Sequence, residues 1–191
     1  KGSRFDGRDH LDKLAAEQKR INARKMLDDM MIVSQMETGN FNFDPQPLVI
    51  GDYLKRIIED FQSIHFDTHQ LVLKGNFNAE IQADPTLLKQ IVANLISNAV
   101  KYSPDSDTVN IILDYTDQFA VIAVQDYGIG IPEEEQEHLF NAFQRASNVG
   151  DIEGTGLGLE IVKQAVQLHD GAIDLKSQVN VGTTISVMIP L

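Results

Sequence analysis

The sequence predicts an α+β fold, a two-layer α/β sandwich with one long helix in front of it. Three observations carry this. The interval from Asp9 to Glu37 holds no proline or glycine. Six runs of alternating or apolar β-forming residues follow, bounded by Gly, Asn and Asp. Segments with apolar residues at helical spacing lie among them. A mixed sheet with helices on one face satisfies both patterns.

The long helix covers about residues 9–37 and stops at Gly39. Leu11, Leu14, Ile21, Leu27, Met30, Met31 and Met36 are its apolar positions, and a methionine-rich face more often packs than acts. Asn40 to Pro47 is polar, carries Pro45 and Pro47, and is the domain boundary. Val49 to about His65 is an amphipathic helix with Ile50, Leu54, Ile57, Ile58 and Phe61 on one face. Gln70–Lys74 and Ala79–Ala83 are strands around a Gly75-Asn76 turn. Asp84 is an N-cap, and Pro85 opens a helix that runs to about Tyr102. Thr108–Tyr115 and Phe119–Gln125 are strands joined by a tight turn at Thr116-Asp117. A short helix near Glu133–Leu139 follows Pro132, with Glu133, Glu134 and Glu135 as its solvated first turn. A loop rich in Asn, Gly and Asp leads to a helix from Leu159 to about His169. Gly171–Ser177 and Thr183–Ile189 close as a hairpin. The expected division is helix 1–39, linker 40–48 and one domain, 49–191.

The chain has 191 residues, 42% hydrophobic, which suits one good-sized domain plus an appended element. It has no cysteine, so disulfides and cysteine zinc sites are excluded. No apolar run approaches the roughly 18 residues of a membrane span, and no signal peptide opens the chain. A cytoplasmic location is expected, although the segment could be cut from a membrane receptor. Sixteen basic and 28 acidic residues give a net charge of −12, which argues against a general nucleic-acid surface.

Four short stretches carry the chemistry. Asn94 and Asn98 stand four apart on one helix face, with Lys101 three further and Tyr102 four beyond Asn98. That face offers amide oxygens, an ammonium and a ring to one region. An amide oxygen can be one of the few protein ligands of Mg²⁺, which takes phosphates and water for the rest. Asp126 ends an alternating strand, and a buried carboxylate there can accept from an adenine amino group. Gly128 and Gly130 follow it and permit close backbone approach. Phe140 and Phe143 come next as the start of a loop. Gly154, Thr155, Gly156, Leu157 and Gly158 precede the helix Leu159–His169, whose first N–H groups can hold phosphate. The glycines fit neither the dinucleotide pattern nor a P-loop, since Leu159 stands where a third glycine is required and no Gly-Lys-Ser/Thr occurs. Each stretch alone also has a bland reading, as a polar helix side, an Asp-x-Gly turn, core phenylalanines or a flexible loop.

In this order the stretches resemble the N, G1, F and G2 boxes of the sensor histidine kinase ATP-binding domain, over roughly residues 45–191. The helix ending Ser34-Gln-Met-Glu37-Thr-Gly39 resembles the second helix of the dimerisation and phosphotransfer hairpin of those kinases. The resemblance implies a Bergerat-type fold that binds ATP and Mg²⁺. It implies that Asn98 holds the metal, Lys101 neutralises phosphate and Tyr102 packs on the nucleotide. Asp126 would select adenine, residues 154–158 would wrap the phosphates, and Asn148–Glu153 would be an ATP lid. Arg145 matches an arginine that meets the γ-phosphate. Asn94 stands where related ATPases have a glutamate that activates water. An amide cannot be that base, so slow hydrolysis and phosphoryl transfer are expected. Ala142 departs from the family, which often has a basic residue between the phenylalanines.

The family's acceptor histidine, followed by an acidic residue and Thr-Pro, is absent. His10 precedes Leu11-Asp12-Lys13 and is a poor candidate. His65, His69 and His138 are expected at the surface or at helix ends, and His169 in a structural role. No zinc-like cluster of His, Asp and Glu is apparent. Lys1-Gly2-Ser3 resembles a cloning scar. The expectation is a catalytic core without its first hairpin helix, either an engineered fragment or part of a protein that phosphorylates a separate partner. Its partners would be a histidine-bearing helix and a response regulator, with homodimerisation possible through the first helix. Two rivals stand beside this: a serine/threonine kinase of the same superfold, and a nucleotide-sensing interaction module without phosphotransfer.

Overall fold

A computed structural model describes residues 7–65, 68–75, 79–150 and 152–191. The order is α1 (Gly7–Glu37), β1 (Gln46–Val49), α2 (Ile50–His65), β2 (Gln70–Gly75), β3 (Glu80–Ala83), α3 (Pro85–Tyr102), β4 (Thr108–Tyr115), β5 (Phe119–Gln125), α4 (Gly158–Leu168), β6 (Ala172–Gln178) and β7 (Gly182–Pro190). Two 3₁₀ turns, Glu133–His138 and Ser147–Val149, lie between β5 and α4.

The main sheet has five strands in the order β2-β4-β5-β7-β6. Only β2 and β4 run parallel; the other pairs are antiparallel. Period-two patterning explains its inner face. Ile111 sits opposite Val124, which sits opposite Ile185, and Leu113, Ile122 and Val187 form the next row. All six are buried, and α2, α3 and α4 lie against this sheet. Helices layered on one sheet face make the expected two-layer sandwich.

Two expectations about strands needed correction. Residues 46–49 form a strand, paired antiparallel with β3 in a separate two-stranded sheet. Pro47 hides it, since proline is tolerated in a sheet only at an edge or bulge. The expected hairpin of residues 70–83 also does not form: β2 pairs with β4, and β3 pairs with β1. Asn76 in its expected turn lies outside the described residues.

Asp84 joins several of these elements. Its Oδ1 accepts from Thr86 N at 2.8 Å and Leu87 N at 3.1 Å, capping α3, a contribution of about 1 kcal/mol. Its Oδ2 accepts from Asp44 N at 2.9 Å. Its own N–H donates to Nε2 of buried His169 at 3.0 Å, and Nδ1 of that ring bonds Ala165 O at 2.7 Å. Thus His169 is structural and holds the end of α4 to the start of α3. His69, expected at the surface, is buried and bonds Ser103 O at 2.9 Å, just past α3. The side chains of His10 and His65 lie outside the described set.

Candidate nucleotide site

A cavity of about 560 Å³ opens between α3, α4, the end of β5 and the loop 144–156, with α1 along one side. Val124, Ile131, Leu139, Ala146, Val149 and Ile185 give it apolar walls. That size and lining suit a ligand with one apolar end.

Helix periodicity puts Asn94, Asn98, Lys101 and Tyr102 on its α3 wall, as expected. Asn94 Nδ2 donates back to Gln90 O at 2.9 Å, so the amide is pinned and Oδ1 is turned to α4. A Cβ added to Gly158 would lie 3.0 Å from that oxygen and 3.8 Å from Asn98 Nδ2. The start of α4 therefore rests on the asparagine face. Among the described residues no side chain caps that start, which leaves its first N–H groups for an anion. Lys101 Nζ donates to Tyr102 Oη at 3.0 Å and lies 4.5 Å from that ring's centre. A Cβ on Gly154 would collide with Lys101 Nζ.

Asp126 is the buried carboxylate of the opposite end, at 8% exposure. Its Oδ1 accepts from Gly128 N at 2.9 Å and Thr183 N at 3.2 Å. Burial raises its pKa above the ordinary aspartate value, and the two N–H donors only partly offset this. Thr183 also lines the cavity. Sequence reasoning missed it because it lies 57 residues from Asp126, in a hairpin without a motif.

The glycines of this region serve the protein first. A Cβ on Gly128 would overlap Tyr102 O, and one on Gly130 would overlap Gln178 O. Gly130 also has φ +64°, but Gly128 is not in the left-handed region. Of the two, Gly130 lines the cavity and Gly128 does not. Their close approach in this structure is to backbone.

Loop 144–156 is fastened at several points. Arg145 donates through Nη2 to Ile152 O, Asn148 Nδ2 donates to Gly130 O at 2.9 Å, and Glu135 Oε2 accepts from Ser147 N at 2.8 Å. Hydrogen bonding from the Ser147 side chain first, and from its backbone N–H second, draws the Glu135 carboxyl below its ordinary range, so this glutamate does more than solvate a helix turn. Arg145, Gly154, Thr155, Gly156 and Gly158 line the cavity. Leu157, Phe140 and Phe143 do not: Leu157 is buried at 1%, and Phe143 is exposed at 53%. The contribution of Phe143 is its backbone, with φ +62° and N donating to Gly156 O at 3.0 Å. The α1 wall comes from residues that no motif flagged, among them Asn22, Lys25, Met26 and Asp29.

A family profile described as histidine kinase-, DNA gyrase B-, and HSP90-like ATPase matches residues 83–191. The chain belongs to this ATPase family. Within the family it is a catalytic core of the sensor histidine kinase type, with an ATP-binding domain. It is 36% identical over 172 residues to the circadian input-output histidine kinase CikA of Synechococcus elongatus, covering 87% of this chain and 23% of that protein. It is 30% identical over 167 residues to the sensor histidine kinase YvrG of Bacillus subtilis, covering 86% of this chain and 29% of that one. The chain thus spans about a quarter of the length of these relatives. Among solved structures, the mycobacterial sensor histidine kinase MprB superposes with TM-score 0.67 at 28% identity, over 76% of this chain and 97% of that one. Full-length ShkA in complex with AMPPNP superposes with TM-score 0.76 at 20% identity, over 96% of this chain and 38% of that one, a likeness of fold. Among the described residues no helix is long and apolar enough to cross a membrane.

Proposed function

We propose that this ATPase-family core binds Mg–ATP in the 560 Å³ cavity and passes the γ-phosphoryl group to a histidine on another helix. A response regulator then takes the phosphate at an aspartate. The observation that carries this is the meeting of the Asn94/Asn98 face with the uncapped start of α4. Two amides and a row of N–H groups at one cavity end suit a metal–phosphate chain better than any other ligand class.

Asp126 accepts from the adenine amino group through Oδ2, because Oδ1 is committed to Gly128 and Thr183. Tyr102 packs on the nucleotide. The residues present fit Mg²⁺, which needs only one or two protein oxygens beside phosphates and water, and Asn98 lines the cavity beside the start of α4. Asn98 supplies the protein oxygen. When bound, the metal draws off charge from the phosphates. Lys101 neutralises phosphate at the α3 end. Arg145 leaves Ile152 O to meet the γ-phosphate and stabilises charge during transfer. Asn94 activates no water, since an amide has no basic lone pair near neutral pH, so the phosphoryl group is kept for the acceptor.

The segment 1–39, with helix α1 (Gly7–Glu37) in it, serves as part of the dimerisation hairpin and 49–191 as the catalytic domain. Ile21, Leu27 and Met31 of α1 are exposed, each above half, and suit a partner helix or a second copy. The location is the cytoplasm.

The test is incubation of this chain with γ-labelled Mg–ATP and a separately supplied histidine-bearing hairpin of a sensor kinase. Acid-labile, base-stable label on the hairpin is expected. Acid-stable label would move the reading to a serine/threonine kinase. Nucleotide binding with no transfer to any supplied hairpin, and no effect of Arg145→Ala beyond binding, would leave a nucleotide-sensing module.

A further inference from the structure

The hairpin of β6 and β7 brings two hydroxyls together behind the Asp126 end of the cavity. Ser177 is paired with Thr183 across the strands, so the pleat puts both side chains on one face of the sheet. That face is the inner one, since Ile185, two residues on from Thr183, is buried and lines the cavity. Thr183 lines the cavity too, and its N–H donates to Oδ1 of Asp126 at 3.2 Å. Ser177 stands behind the cavity wall. Its Oγ bonds Ile131 N at 2.9 Å, Gly182 O at 3.1 Å and Thr183 Oγ1 at 2.8 Å. Gln136 Nε2 donates to Ile131 O at 3.0 Å and to Ser177 O at 3.1 Å, which ties the Ile131 segment to the strand and holds this spacing.

A hydroxyl oxygen has one hydrogen and two lone pairs, and these partners leave one arrangement. The N–H of Ile131 can only donate, so it takes a lone pair of Ser177. The carbonyl of Gly182 can only accept, so it takes the hydrogen. The other lone pair is left for Thr183, whose O–H is then the donor. The reverse arrangement would set two oxygens 3.1 Å apart with no hydrogen between them. Thr183 therefore gives its one hydrogen to Ser177, and its Oγ1 keeps only lone pairs for the cavity. Oδ2 of ionised Asp126 is likewise an acceptor.

We propose that Ser177 is a positioning residue that fixes the polarity of the Thr183 hydroxyl, so that the base end of the cavity shows acceptors and selects a ring carrying an amino group over one carrying an oxo group. This rests on the cavity being the nucleotide site. A hydroxyl free to turn would accept from one ring and donate to the other, and would tell them apart poorly. The selection adds to that of Asp126 and comes from a side chain outside the cavity lining.

The test uses the whole chain with Mg²⁺. Calorimetry gives Kd for ATP and for inosine triphosphate, which has an oxo group in place of the amino group, in the parent, Ser177→Ala, Thr183→Val and the double variant. The quantity read is Kd for inosine triphosphate divided by Kd for ATP. Ser177→Ala also takes a partner from Ile131 N and from Gly182 O; that loss weakens both nucleotides alike and cancels in the ratio. With Thr183 released to donate, the ratio should fall by about 2- to 10-fold, the worth of one neutral hydrogen bond. Thr183→Val keeps the backbone bond to Asp126 and deletes the acceptor, so it should weaken ATP and lower the ratio by a similar factor. The double variant should match Thr183→Val, because Ser177 acts on the ratio through that hydroxyl. A ratio unchanged in Ser177→Ala, or lower in the double variant than in Thr183→Val, would overturn the assignment. So would a ratio that rises in Thr183→Val, the mark of a hydroxyl that donates to the ligand. That variant carries the test alone if circular dichroism shows Ser177→Ala unfolded. Equal binding of the two nucleotides by the parent would overturn this inference and leave the nucleotide site intact, whereas binding of neither would sink both.

Discussion

Asp126→Asn separates recognition from folding within one side chain. The substitution keeps an oxygen where Oδ1 stands, so Gly128 N and Thr183 N retain their acceptor. It replaces Oδ2 with an NH₂ group. If Oδ2 takes the adenine amino group, the variant sets donor against donor. Losing a hydrogen bond to a charged acceptor costs about 1.5–3 kcal/mol, or roughly 10- to 150-fold in Kd. Equilibrium titration with a fluorescent ATP analogue reads this directly. Inosine triphosphate, whose ring oxygen is an acceptor, should lose much less, so the preference for adenine narrows. Stability should go the other way. The folded pKa of Asp126 lies above its ordinary value of 3.8 because burial penalises the charge. As pH rises through the window from 3.8 to that folded pKa, the unfolded chain ionises first and the folded state loses stability. The asparagine variant escapes this loss. Without nucleotide, its urea midpoint should match the parent below pH 3.8 and equal or exceed it at neutral pH. Nucleotide affinity within 2-fold of the parent (about 0.4 kcal/mol) would refute the assignment of Oδ2 to adenine. A collapsed urea midpoint would show that the carboxylate is a structural anchor and that the geometric reasoning about Oδ1 is wrong.

Gly128→Ala should lower the urea midpoint sharply and by more than Gly150→Ala. The first drives a methyl into Tyr102 O, a backbone atom that cannot yield, while the second meets nothing within 4 Å and costs only the strain of its backbone, φ +53° with ψ −131°, about 1–3 kcal/mol. His169→Leu should destabilise the chain by about 1–3 kcal/mol, read by urea denaturation, because it strands the buried N–H of Asp84. Arg145→Ala should change nucleotide affinity by about 3-fold or less, since leaving Ile152 O offsets what the guanidinium gains at the γ-phosphate before transfer, while phosphotransfer to a supplied histidine hairpin falls by about 100-fold or more.

Where helical or strand period decides the outcome, the sequence was a sufficient guide. The run from Asp84 to Tyr102 has a cap, a first-turn proline and apolar spacing, and α3 forms over Pro85–Tyr102. Strands β4 and β5 keep their read boundaries. Pairing is less legible, because partner choice depends on contacts far along the chain. Nothing local in Gln70–Lys74 says that it will lie parallel to β4 rather than fold back on β3. The same holds at the site. Residues flagged by motif reached the cavity when their element was regular, as with Asn94 and Asn98. Phe143 was flagged for its ring, yet the structure uses its left-handed backbone against Gly156 and leaves the ring exposed. The α1 wall had no signal, since Asn22, Lys25 and Asp29 look like the ordinary polar side of an amphipathic helix.

A chain of net charge −12 that binds a polyanion must solve the charge locally. Among the described residues the cavity has three cations, Lys25, Lys101 and Arg145, against Asp29, Asp126 and Glu153. Side-chain charge within the walls therefore sums to zero, and the surface around it is acidic. What remains is directional: an uncapped helix start, two amides and whatever metal the phosphates bring. Such a site depends on short-range dipoles rather than on a long-range field, and dipoles fall off within a helical turn. It follows that binding of the metal-free nucleotide should be weak and should strengthen with added salt, because screening reduces the repulsion from the acidic surface more than it reduces the close contacts. The magnesium complex carries less charge and should show a shallower salt dependence. Titration of both forms at several ionic strengths checks this, and a metal-free nucleotide that binds tightly and weakens steeply with salt would mean that Lys25, Lys101 and Arg145 dominate after all.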